Sequence, residues 1–371
     1  TVCCPSRAAL FTGRHPQRGG VRNWTQGDRH GSDRQNLFMA PEEVTLAEAL
    51  KSAGYRTALF GKWHLGAQVG HGPLDQGFDE HFGHLSGFID NYRHFFLHGR
   101  GYHDLYDGNT EIFRRDEYYP DMMIDRAVLF IEANKAAPFF MTVAFNLPHY
   151  PMQPTAKFKD AYADLPMPRQ AYARMISSVD DHIGRVLDKL DATGLSDRTV
   201  VIFMSDNGWM LGEHGLTSKV LAYDPSARIP LFIAGPGIEP GSQCDRLVSN
   251  LDIAPTVLDF AGLAVPGSYQ GHSLRPLLTD PQTKVRDGFI YEGTGGYGEA
   301  PRTFAWITER TKVIHTLGSK PDKQPAFIEI YDMKNDPDET NNLSSSPGFA
   351  EVHLEAAKAF EQHDKGDKAA K

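Results

Sequence analysis

Apolar residues recur along this chain in two patterns, at helical spacing and in short continuous runs. Thr45 and Glu48 form a capping-box pattern that predicts the start of a helix, and apolar residues follow at helical spacing. Gly54 is typical of the residue at which such a helix ends. Continuous apolar runs are typical of strands buried on both faces, and we expect this of 138–145 and 199–204. The sequence predicts helices at 45–53, 119–135, 168–192 and 252–261, and strands at 55–60, 138–145, 199–204 and 229–234.

After about residue 278 the pattern changes to short strand-like segments with turn-like joins. The earlier alternation of helices and buried strands predicts an α/β fold with a central mixed, mostly parallel sheet between helices. We expect this catalytic domain to span 1–283, and a small C-terminal α+β subdomain with a polar tail to span 284–371. The predicted elements of the subdomain are antiparallel strands at 289–292, 303–308, 312–316 and 327–331, a helix near 349–363 and a frayed end at 365–371.

Composition excludes several classes of function. The chain has 371 residues, with 38 Lys and Arg against 47 Asp and Glu, so its formal net charge is −9. This acidic balance argues against nucleic-acid binding, which needs basic surfaces. No run of eighteen apolar residues encodes a membrane span, and three cysteines cannot form a disulfide scaffold. Because the first residue is Thr1, we expect the natural N-terminus to lie upstream.

Polar side chains follow three of the predicted strands, at the point where each strand ends. They are carried by Gly61-Lys62-Trp63-His64, Asn146-Leu147-Pro148-His149 and Ser205-Asp206-Asn207-Gly208. Ligand sites of open α/β sheets lie beyond these strand ends. Taken singly, each could be a surface lysine, a hydrogen-bonded histidine or a turn. Together they suit an anionic substrate, a hard cation bound through oxygen atoms, and proton transfer.

The chain opens on an unusual run, Cys3-Cys4-Pro5-Ser6-Arg7, followed by Thr12-Gly13-Arg14. A zinc site would need spaced pairs of Cys or His, and no such pairs follow. A cysteine-based phosphatase loop would place Arg six residues after the cysteine, where Ala9 and Leu10 stand instead. A buried structural pair of cysteines remains the alternative to a chemical role.

These motifs resemble those of the type I, formylglycine-dependent sulfatase family. The signature Cys-x-Pro-Ser-Arg with a downstream Thr-Gly-Arg is matched by Cys3, Pro5, Ser6, Arg7, Thr12, Gly13 and Arg14. The signature Gly-Tyr-x-Thr-x-x-x-Gly-Lys-x-His is matched by Gly54, Tyr55, Thr57, Gly61, Lys62 and His64. Further blocks are Pro148-His149, Asp206-Asn207-Gly208, Gly212 to Gly215 with Lys219, and Ile330 to Leu343, so the resemblance runs from Cys3 to about Leu343.

The resemblance implies an alkaline-phosphatase-like fold and hydrolysis of a sulfate ester. In this family a formylglycine-generating enzyme oxidises the signature cysteine, here Cys3, to formylglycine, whose hydrate attacks sulfur and then expels sulfate. Cys4 occupies the variable position of the motif. One divalent cation, Ca²⁺ by resemblance, would polarise the hydrate and a sulfate oxygen. Its implied ligands are the hydrate at Cys3, Asp206 and Asn207, with Asp206 also the base for the first attack.

The resemblance also implies roles for the other charged and titratable residues. Arg7 would hold the formylglycine hydroxyl and help to neutralise the site. Lys62 and Lys219 would bind sulfate oxygens as point charges. His149 would bind the sulfate and, with Lys219, protonate the leaving group. His64 would take the proton from the second hydroxyl during sulfate release.

One departure from the family concerns the cation. The family places a pair of adjacent Asp ligands at the end of a first strand, upstream of the cysteine signature, and this chain begins two residues before Cys3. Asp180 and Asp181 lie within a predicted helix, on its solvated face, and do not replace that pair. We therefore expect an incomplete cation site, a missing interior strand and little or no turnover by this chain.

Two other functions compete with the sulfatase interpretation. A phosphonate monoester or phosphodiester hydrolase of the same superfamily uses the same formylglycine motif on a group of similar shape. A non-catalytic pseudo-sulfatase would bind sulfated glycans, but intact Cys3, Arg7, Lys62, His64 and His149 argue against it.

The substrate is expected to be a sulfated carbohydrate or an aryl sulfate. The segment 83–117, rich in His, Tyr, Phe and Arg around Asp90 to His94, is a candidate for recognition or a packed loop. The glycine-rich segment 293–302 is a second candidate rim loop, and His214 could belong to the pocket or be structural. Family members usually act outside the cytoplasm, so the resemblance implies an extracytoplasmic location.

Overall fold

The computed structural model describes residues 2–21, 23–24, 38–293, 301–318 and 325–369, with side chains up to residue 363. The chain divides into two compact units. The middle unit comprises Thr25–Val201 and Ala261–Ala264. The split unit comprises Thr1–Trp24, Ile202–Phe260 and Val265–Lys371. The domain boundary expected after residue 283 stays a prediction.

Helices and strands alternate through the first two thirds of the chain, as the sequence predicts. The helices are α1 (Cys3–Thr12), α2 (Leu46–Ser52), α3 (Tyr119–Asn134), α4 (Arg169–Ala192), α5 (Asp224–Ala227), α6 (Ile253–Phe260), α7 (Arg275–Thr279) and α8 (Ala350–Ala369). The strands are β1 (Arg56–Gly61), β2 (Glu80–Gly83), β3 (Phe95–Phe96), β4 (Tyr102–His103), β5 (Tyr106–Asp107), β6 (Thr110–Glu111), β7 (Phe139–Ala144), β8 (Val201–Met204), β9 (Met210–Leu211), β10 (Thr217–Ser218), β11 (Leu231–Ala234), β12 (Gly288–Gly293), β13 (Thr303–Thr308), β14 (Thr311–Leu317) and β15 (Pro325–Asp332).

A five-stranded mixed sheet forms the centre of the middle unit, in the order β6-β5-β2-β1-β7. Strand β1 runs parallel to both β2 and β7, whereas β5 pairs antiparallel to β2. Helix α3 packs its apolar face on this sheet, where Met123, Ile124 and Phe130 join Phe60 in one buried cluster. The parallel pair brings the carboxyl ends of β1 and β7 to the same edge, as the sequence predicts.

The predicted capping box is present at the start of α2. The Thr45 side chain accepts a hydrogen bond from the Glu48 backbone N–H, and the Glu48 carboxylate accepts one from the Thr45 N–H. Both bonds satisfy backbone donors that a helix N-terminus would otherwise leave unpaired.

Two strands are less buried than their apolar composition predicts. In β7 only Ala144 is buried, because within the described sheet β7 has β1 on one side and no strand on the other. Strand β8 pairs with β11 in a two-stranded sheet, and Phe203 on β8 is 38% exposed beside Phe232. The expectation that these two strands are buried on both faces is therefore wrong. A continuous apolar run indicates a strand, but it does not show how many neighbouring elements cover that strand.

In the split unit, α1 is a helix that the sequence patterns do not reveal. Nearly every residue of α1 is buried, so the helix has no amphipathic stripe to detect. Two local signals do mark its ends. Pro5 stands in the first turn, where its missing N–H costs nothing, and Gly13 closes the helix in the left-handed conformation with φ of 57°.

The four predicted C-terminal strands are confirmed as one antiparallel sheet, in the order β12-β13-β14-β15. Helix α8 packs on this sheet, where Ala356 and Phe360 join Val313 and Ile330. The frayed end expected at 365–371 is wrong as far as residue 369, because α8 continues to Ala369. Within the described residues, no helix combines the length and the apolar character needed to cross a bilayer.

Candidate active site

The residues that the sequence singles out are distributed over both units. Cys3, Arg7, Asp206, Asn207 and Lys219 belong to the split unit. Lys62, His64 and His149 belong to the middle unit. Each group is described within its own unit.

Cys3 is the first residue of α1 and is 3% exposed. Cys4, its neighbour in the variable position of the motif, is completely buried. One turn further along, Arg7 is 5% exposed and its guanidinium lies 5.8 Å from the centre of the Phe11 ring. Helix α1 therefore presents the cysteine at its N-terminus, the end of a helix dipole that favours negative charge.

The Lys219 ammonium group contacts the cysteine. Its Nζ lies 3.0 Å from Cys3 Sγ and 3.4 Å from Asn207 Oδ1, and 5.3 Å from the ring of Trp209. The structure thus brings Cys3 together with Asn207 and Lys219, which lie more than 200 positions further along the chain. A cation against the sulfur can stabilise negative charge that develops at this position.

Backbone strain flanks Lys219 on both sides. Ser218 has φ of 78° and Val220 has φ of 95°, which is a genuine outlier for a β-branched residue. Such conformations persist only where the surroundings fix them, and they cluster at functional sites. Here the hydroxyl of Tyr291 contacts the carbonyl oxygens of Val220 and Leu221, at 3.1 Å each.

The C-terminal sheet anchors the next residues of the same segment. Lys312 on β14 is fully buried and pairs with the carboxylates of Asp224 and Glu339, with Nζ 2.7 Å from Glu339 Oε1. Tyr223 donates a 2.7 Å hydrogen bond to Glu329 on β15. Burial raises the pKa of Glu339 even though Lys312 lowers it. This sheet therefore holds the segment that carries Lys219.

Asp206 and Asn207 follow β8, and their surroundings include two residues whose role the sequence does not reveal. Ser6 on α1 donates its hydroxyl to the backbone carbonyl of Asp206. Asn250 donates from Nδ2 to Ser6 Oγ at 2.8 Å and to the Ser6 carbonyl at 3.1 Å. In the sequence, the only indication of a role for Ser6 is its match to the cysteine signature. No motif in the sequence indicates a role for Asn250.

In the middle unit, Lys62 and His64 come directly after β1. The Lys62 backbone N–H donates to the carbonyl of Ala144 at 2.8 Å, which extends the β1–β7 pairing by one residue. The His64 N–H donates to Leu85 O at 3.0 Å, and His64 has φ of 58°. Both side chains are buried, with 4% of Lys62 and 1% of His64 exposed. A buried lysine at a strand end suits an anionic ligand better than a solvated surface role.

Glycine is required at the position before Lys62. Gly61 has φ of 124°, and a Cβ atom there would lie 2.0 Å from the carbonyl oxygen of Ala144. Gly83 on β2 packs equally closely against β1, since a Cβ atom at Gly83 would lie 2.0 Å from Gly61 O. The glycine of the second signature therefore serves the close packing of three strands beside Lys62.

Asp104 braces the loop that follows β2. Its carboxylate accepts backbone hydrogen bonds from Leu85 at 3.0 Å and from Ser86 at 2.9 Å, and the side chain is buried. Burial raises the pKa of Asp104, although these bonds and the hydroxyl of Ser86 act to lower it. Since Leu85 O accepts the His64 N–H, Asp104 indirectly holds His64 in place.

His149 follows β7 and lies in an aromatic cluster. Its ring stacks on Phe88 with 4.6 Å between centres, and its Nδ1 lies 2.9 Å from the carbonyl oxygen of Tyr150. Phe88 also packs on Phe96 of β3 at 5.1 Å. The hairpin β3–β4 therefore supports the side of the cluster that carries His149.

The opposite face of that hairpin lines a basic cavity of about 290 Å³. Phe95 packs edge-on to His103 at 5.4 Å, and the His103 ring stacks on the exposed Phe113 at 4.3 Å. The cavity is lined by Arg93, Phe95, His103, Phe113, Arg114 and Arg115. The recognition segment expected at 83–117 thus contains an aromatic and cationic surface.

Other residues of that segment make internal contacts. Asp90 accepts backbone hydrogen bonds from Tyr92 and Arg93. Burial acts to raise the pKa of Asp90, but these hydrogen bonds outweigh it and the pKa is lowered. His94 is buried, which lowers its pKa, and its Nε2 lies 3.0 Å from Glu117 O. His214 is exposed and stacks on Tyr223. Residues 294–300 of the second expected rim loop lie outside the described residues.

Comparison with known proteins decides the family. The family described as Sulfatase matches residues 1–263 of this chain, which is more than two thirds of its length. The chain belongs to the sulfatase family. It is therefore a sulfuric ester hydrolase, and a second family, described as N-sulphoglucosamine sulphohydrolase, C-terminal, matches residues 212–366.

Several sulfatases resemble this chain over most of its length. The ulvan-active sulfatase of Formosa agariphila is 28% identical over 95% of this chain and 70% of its own length. The N-acetylglucosamine-6-O-sulfatase of Bacteroides thetaiotaomicron is 26% identical over 97% of this chain and 77% of its own.

Solved structures share the fold. A protein solved in complex with its substrate D-glucosamine-2-N,6-O-disulfate superimposes with a TM-score of 0.77 at 26% identity, covering 99% of this sulfatase and 89% of that chain. A phosphonate monoester hydrolase from Silicibacter pomeroyi superimposes with a TM-score of 0.72 at 19% identity, covering 100% of this chain and 87% of its own. These likenesses confirm the predicted alkaline-phosphatase-like α/β fold.

Proposed function

We propose that this sulfatase hydrolyses the sulfate ester of a carbohydrate, with Cys3 as the precursor of a formylglycine nucleophile. The observation that carries the proposal is the 3.0 Å contact between Lys219 Nζ and Cys3 Sγ at the buried N-terminus of α1. A residue that must bond to sulfur needs a neighbouring cation to offset the negative charge that develops on the sulfuryl oxygens. As its hydrate, formylglycine would supply one hydroxyl for attack and a second for the release of sulfate.

The buried cations take up the charge of the substrate in this proposal. Arg7 would neutralise the nucleophile, and Lys62 and Lys219 would bind sulfate oxygens. His149, with Lys219, would give a proton to the leaving alcohol. His64 would accept the proton of the second hydroxyl when sulfate leaves.

Asp206 and Asn207 would hold a divalent cation. Side-chain carboxylate and amide oxygens are the donors that Ca²⁺ prefers, and Ca²⁺ takes six to eight of them, so these residues fit as two members of its shell. Within the described chain, Asp206 belongs to no group of three His, Cys, Asp or Glu side chains close enough to share an ion. When bound, the cation would polarise a sulfate oxygen.

A sulfated sugar is the substrate that this surface suits best. Aromatic rings pack against sugar faces, and arginine forks match the oxygens of sulfate groups. The cavity lined by Arg93, Phe113 and Arg114 combines both kinds of contact. The names of relatives that act on ulvan or on N-acetylglucosamine 6-sulfate point to the same class of substrate.

The proposal also includes a modifying partner and a compartment. A formylglycine-generating enzyme would have to act on Cys3 before any turnover. By analogy with the family, we propose an extracytoplasmic location.

A substrate panel tests this function. The full-length protein, co-expressed with a formylglycine-generating enzyme, is assayed on glucosamine 6-O-sulfate, 4-nitrophenyl sulfate and a phosphonate monoester. We expect the highest kcat/KM on the sugar sulfate. Preference for the phosphonate would support the competing hydrolase, and glycan binding without turnover of any ester would support a non-catalytic role.

A cavity variant separates sugar recognition from chemistry. We expect Arg114→Gln to raise KM for the sugar sulfate several-fold and to leave turnover of 4-nitrophenyl sulfate unchanged. Arg228→Gln, at an arginine whose side chain is 80% exposed, serves as the matched control. Equal losses on both substrates would contradict a recognition role for the cavity.

A further inference from the structure

A second cluster of metal-binding side chains lies in the split unit and includes none of the residues assigned to hydrolysis. His15, Glu292 and His363 each offer one ligand atom, and these atoms all lie within 4.8 Å of one another. His15 follows α1, Glu292 lies on β12 and His363 lies on α8. Three segments that are distant in sequence thus converge on one point.

The two oxygens of the Glu292 carboxylate have different surroundings. Its Oε1 accepts a 2.7 Å hydrogen bond from Arg302, which leaves Oε2 as the atom directed to the histidines. Oε2 lies 3.6 Å from His363 Nε2, which is beyond hydrogen-bonding distance. Within the described residues, this buried Oε2 has no hydrogen-bond partner, and the glutamate is 2% exposed.

A buried carboxylate needs compensation from a positive charge. Arg302 supplies that charge at 2.7 Å from Glu292 Oε1. The Glu292 carboxylate is therefore compensated at Oε1 by Arg302, and its Oε2 is left as an oxygen donor for a metal ion. The rings of His15 and His363 meet edge to face, with centres 4.4 Å apart.

We propose that His15, Glu292 and His363 form a binding site for a divalent transition metal, with Zn²⁺ as the best match. Two imidazoles and one carboxylate are a common ligand set for zinc, whereas Ca²⁺ prefers oxygen donors. Metal–ligand bonds of about 2.0–2.2 Å place the ligand atoms of a tetrahedral site about 3.4 Å apart. The three side chains would therefore have to move closer together by roughly an ångström when the ion binds. Arg302, bonded to the second carboxylate oxygen, would orient the glutamate.

The ion would join α8 and β12 to the segment after α1, so its consequence is structural. Because a ligand that binds only the folded protein stabilises it by mass action, saturating Zn²⁺ should raise Tm by about 2–5 °C. This effect is independent of hydrolysis and of any cation at Asp206.

The test uses the full-length protein, stripped with a chelator and kept in Ca²⁺, and titrates it with ZnCl₂. We expect one additional Zn²⁺ per chain, the rise in Tm, and loss of both in Glu292→Gln and His363→Gln. His353→Gln, at another histidine of α8, is the matched control and should bind as the parent does.

Cobalt substitution tests the ligand set in the parent protein, so the result does not depend on whether a variant folds. We expect the intense visible absorption of tetrahedral Co²⁺ without a thiolate charge-transfer band. Failure to retain Zn²⁺ or Co²⁺ at micromolar concentrations would overturn the proposal. So would a thiolate band, or unchanged binding by the folded Glu292→Gln variant.

Discussion

At the scale of single residues, the proposed chemistry depends on how Lys219 is held against Cys3. Lys219 lies between two residues with positive φ, and Val220 would not adopt its conformation without support. That support comes from Tyr291 and from the buried pair of Lys312 with Asp224. The strained segment is fixed by contacts made more than 60 positions away along the chain, so its sequence alone could not have predicted it.

Removing the Tyr291 hydroxyl should loosen Lys219 without removing it. We expect Tyr291→Phe to lower kcat about tenfold, a cost of about 1.4 kcal/mol in the barrier, and to change KM less than twofold. Tyr331→Phe is the control, because its hydroxyl binds Glu329 in the same sheet. Steady-state kinetics on a sulfate ester test this, and a kcat equal to that of the parent would show that Tyr291 does not position Lys219.

Breaking the Lys312 ion pairs should destabilise the protein strongly. Lys312→Met leaves the carboxylates of Asp224 and Glu339 uncompensated, and we expect the free energy of unfolding to fall by about 3–5 kcal/mol. Lys284→Met, at a lysine whose side chain is 54% exposed, should change it by less than about 0.5 kcal/mol. Urea denaturation gives both values, and a loss below 1 kcal/mol for Lys312→Met would contradict the importance of this buried pair.

At the scale of elements, much of the fold could be predicted from the sequence because apolar periodicity survives in amphipathic helices and in strands. Helix α4 was predicted to within one residue, and strand β13 was predicted at both ends. Helix α1 was not, because a helix buried on all sides has no polar face. The partial exposure of β7 and β8 could not be predicted from the sequence either, because it depends on which strands lie beside them.

The close packing of β1, β2 and β7 makes Gly61 irreplaceable. We expect Gly61→Ala to lower the free energy of unfolding by at least 3 kcal/mol, because the methyl group meets the backbone of Ala144. Gly70→Ala is the matched control, since Gly70 also has positive φ but has open space around it. Its cost should be limited to about 1–2 kcal/mol of backbone strain. Equal urea midpoints for the two variants would show that the close approach does not matter.

Acid should weaken the contact between α8 and β14. Burial and the neighbouring His353 lower the pKa of His315 to about 4, and its ring packs on Phe360 at 4.7 Å. Folding therefore favours neutral His315, so its contribution is present above pH 6.5 and is lost as the pH falls towards 4.

Urea midpoints measured between pH 7 and pH 4 check this sign. We expect His315→Gln to show a shallower loss of stability on acidification than the parent. His272→Gln, at a histidine outside the α8 contact, should keep the slope of the parent. A slope for His315→Gln as steep as that of the parent would mean that other groups cause the acid sensitivity.

At the scale of the whole molecule, the residues of the proposed reaction come from the start of the chain and from several segments up to Lys219. The cysteine signature identified Cys3 and Arg7, and the ends of the predicted strands identified Lys62, His149 and Asp206. Asn250 and Tyr291 escaped prediction because their roles depend on contacts that only the folded chain creates. The sequence therefore predicts the chemical groups, and the fold supplies the residues that position them.

The role of Cys3 as a formylglycine precursor is tested most directly by a peptide mass spectrum across Cys3, combined with turnover of a sulfate ester. The test uses the full-length protein co-expressed with a formylglycine-generating enzyme, beside Cys3→Ala and the matched variant Cys4→Ala. We expect an aldehyde at Cys3, activity abolished in Cys3→Ala, and activity largely retained in Cys4→Ala. An unmodified Cys3 in an active protein, or turnover unchanged by Cys3→Ala, would contradict this role.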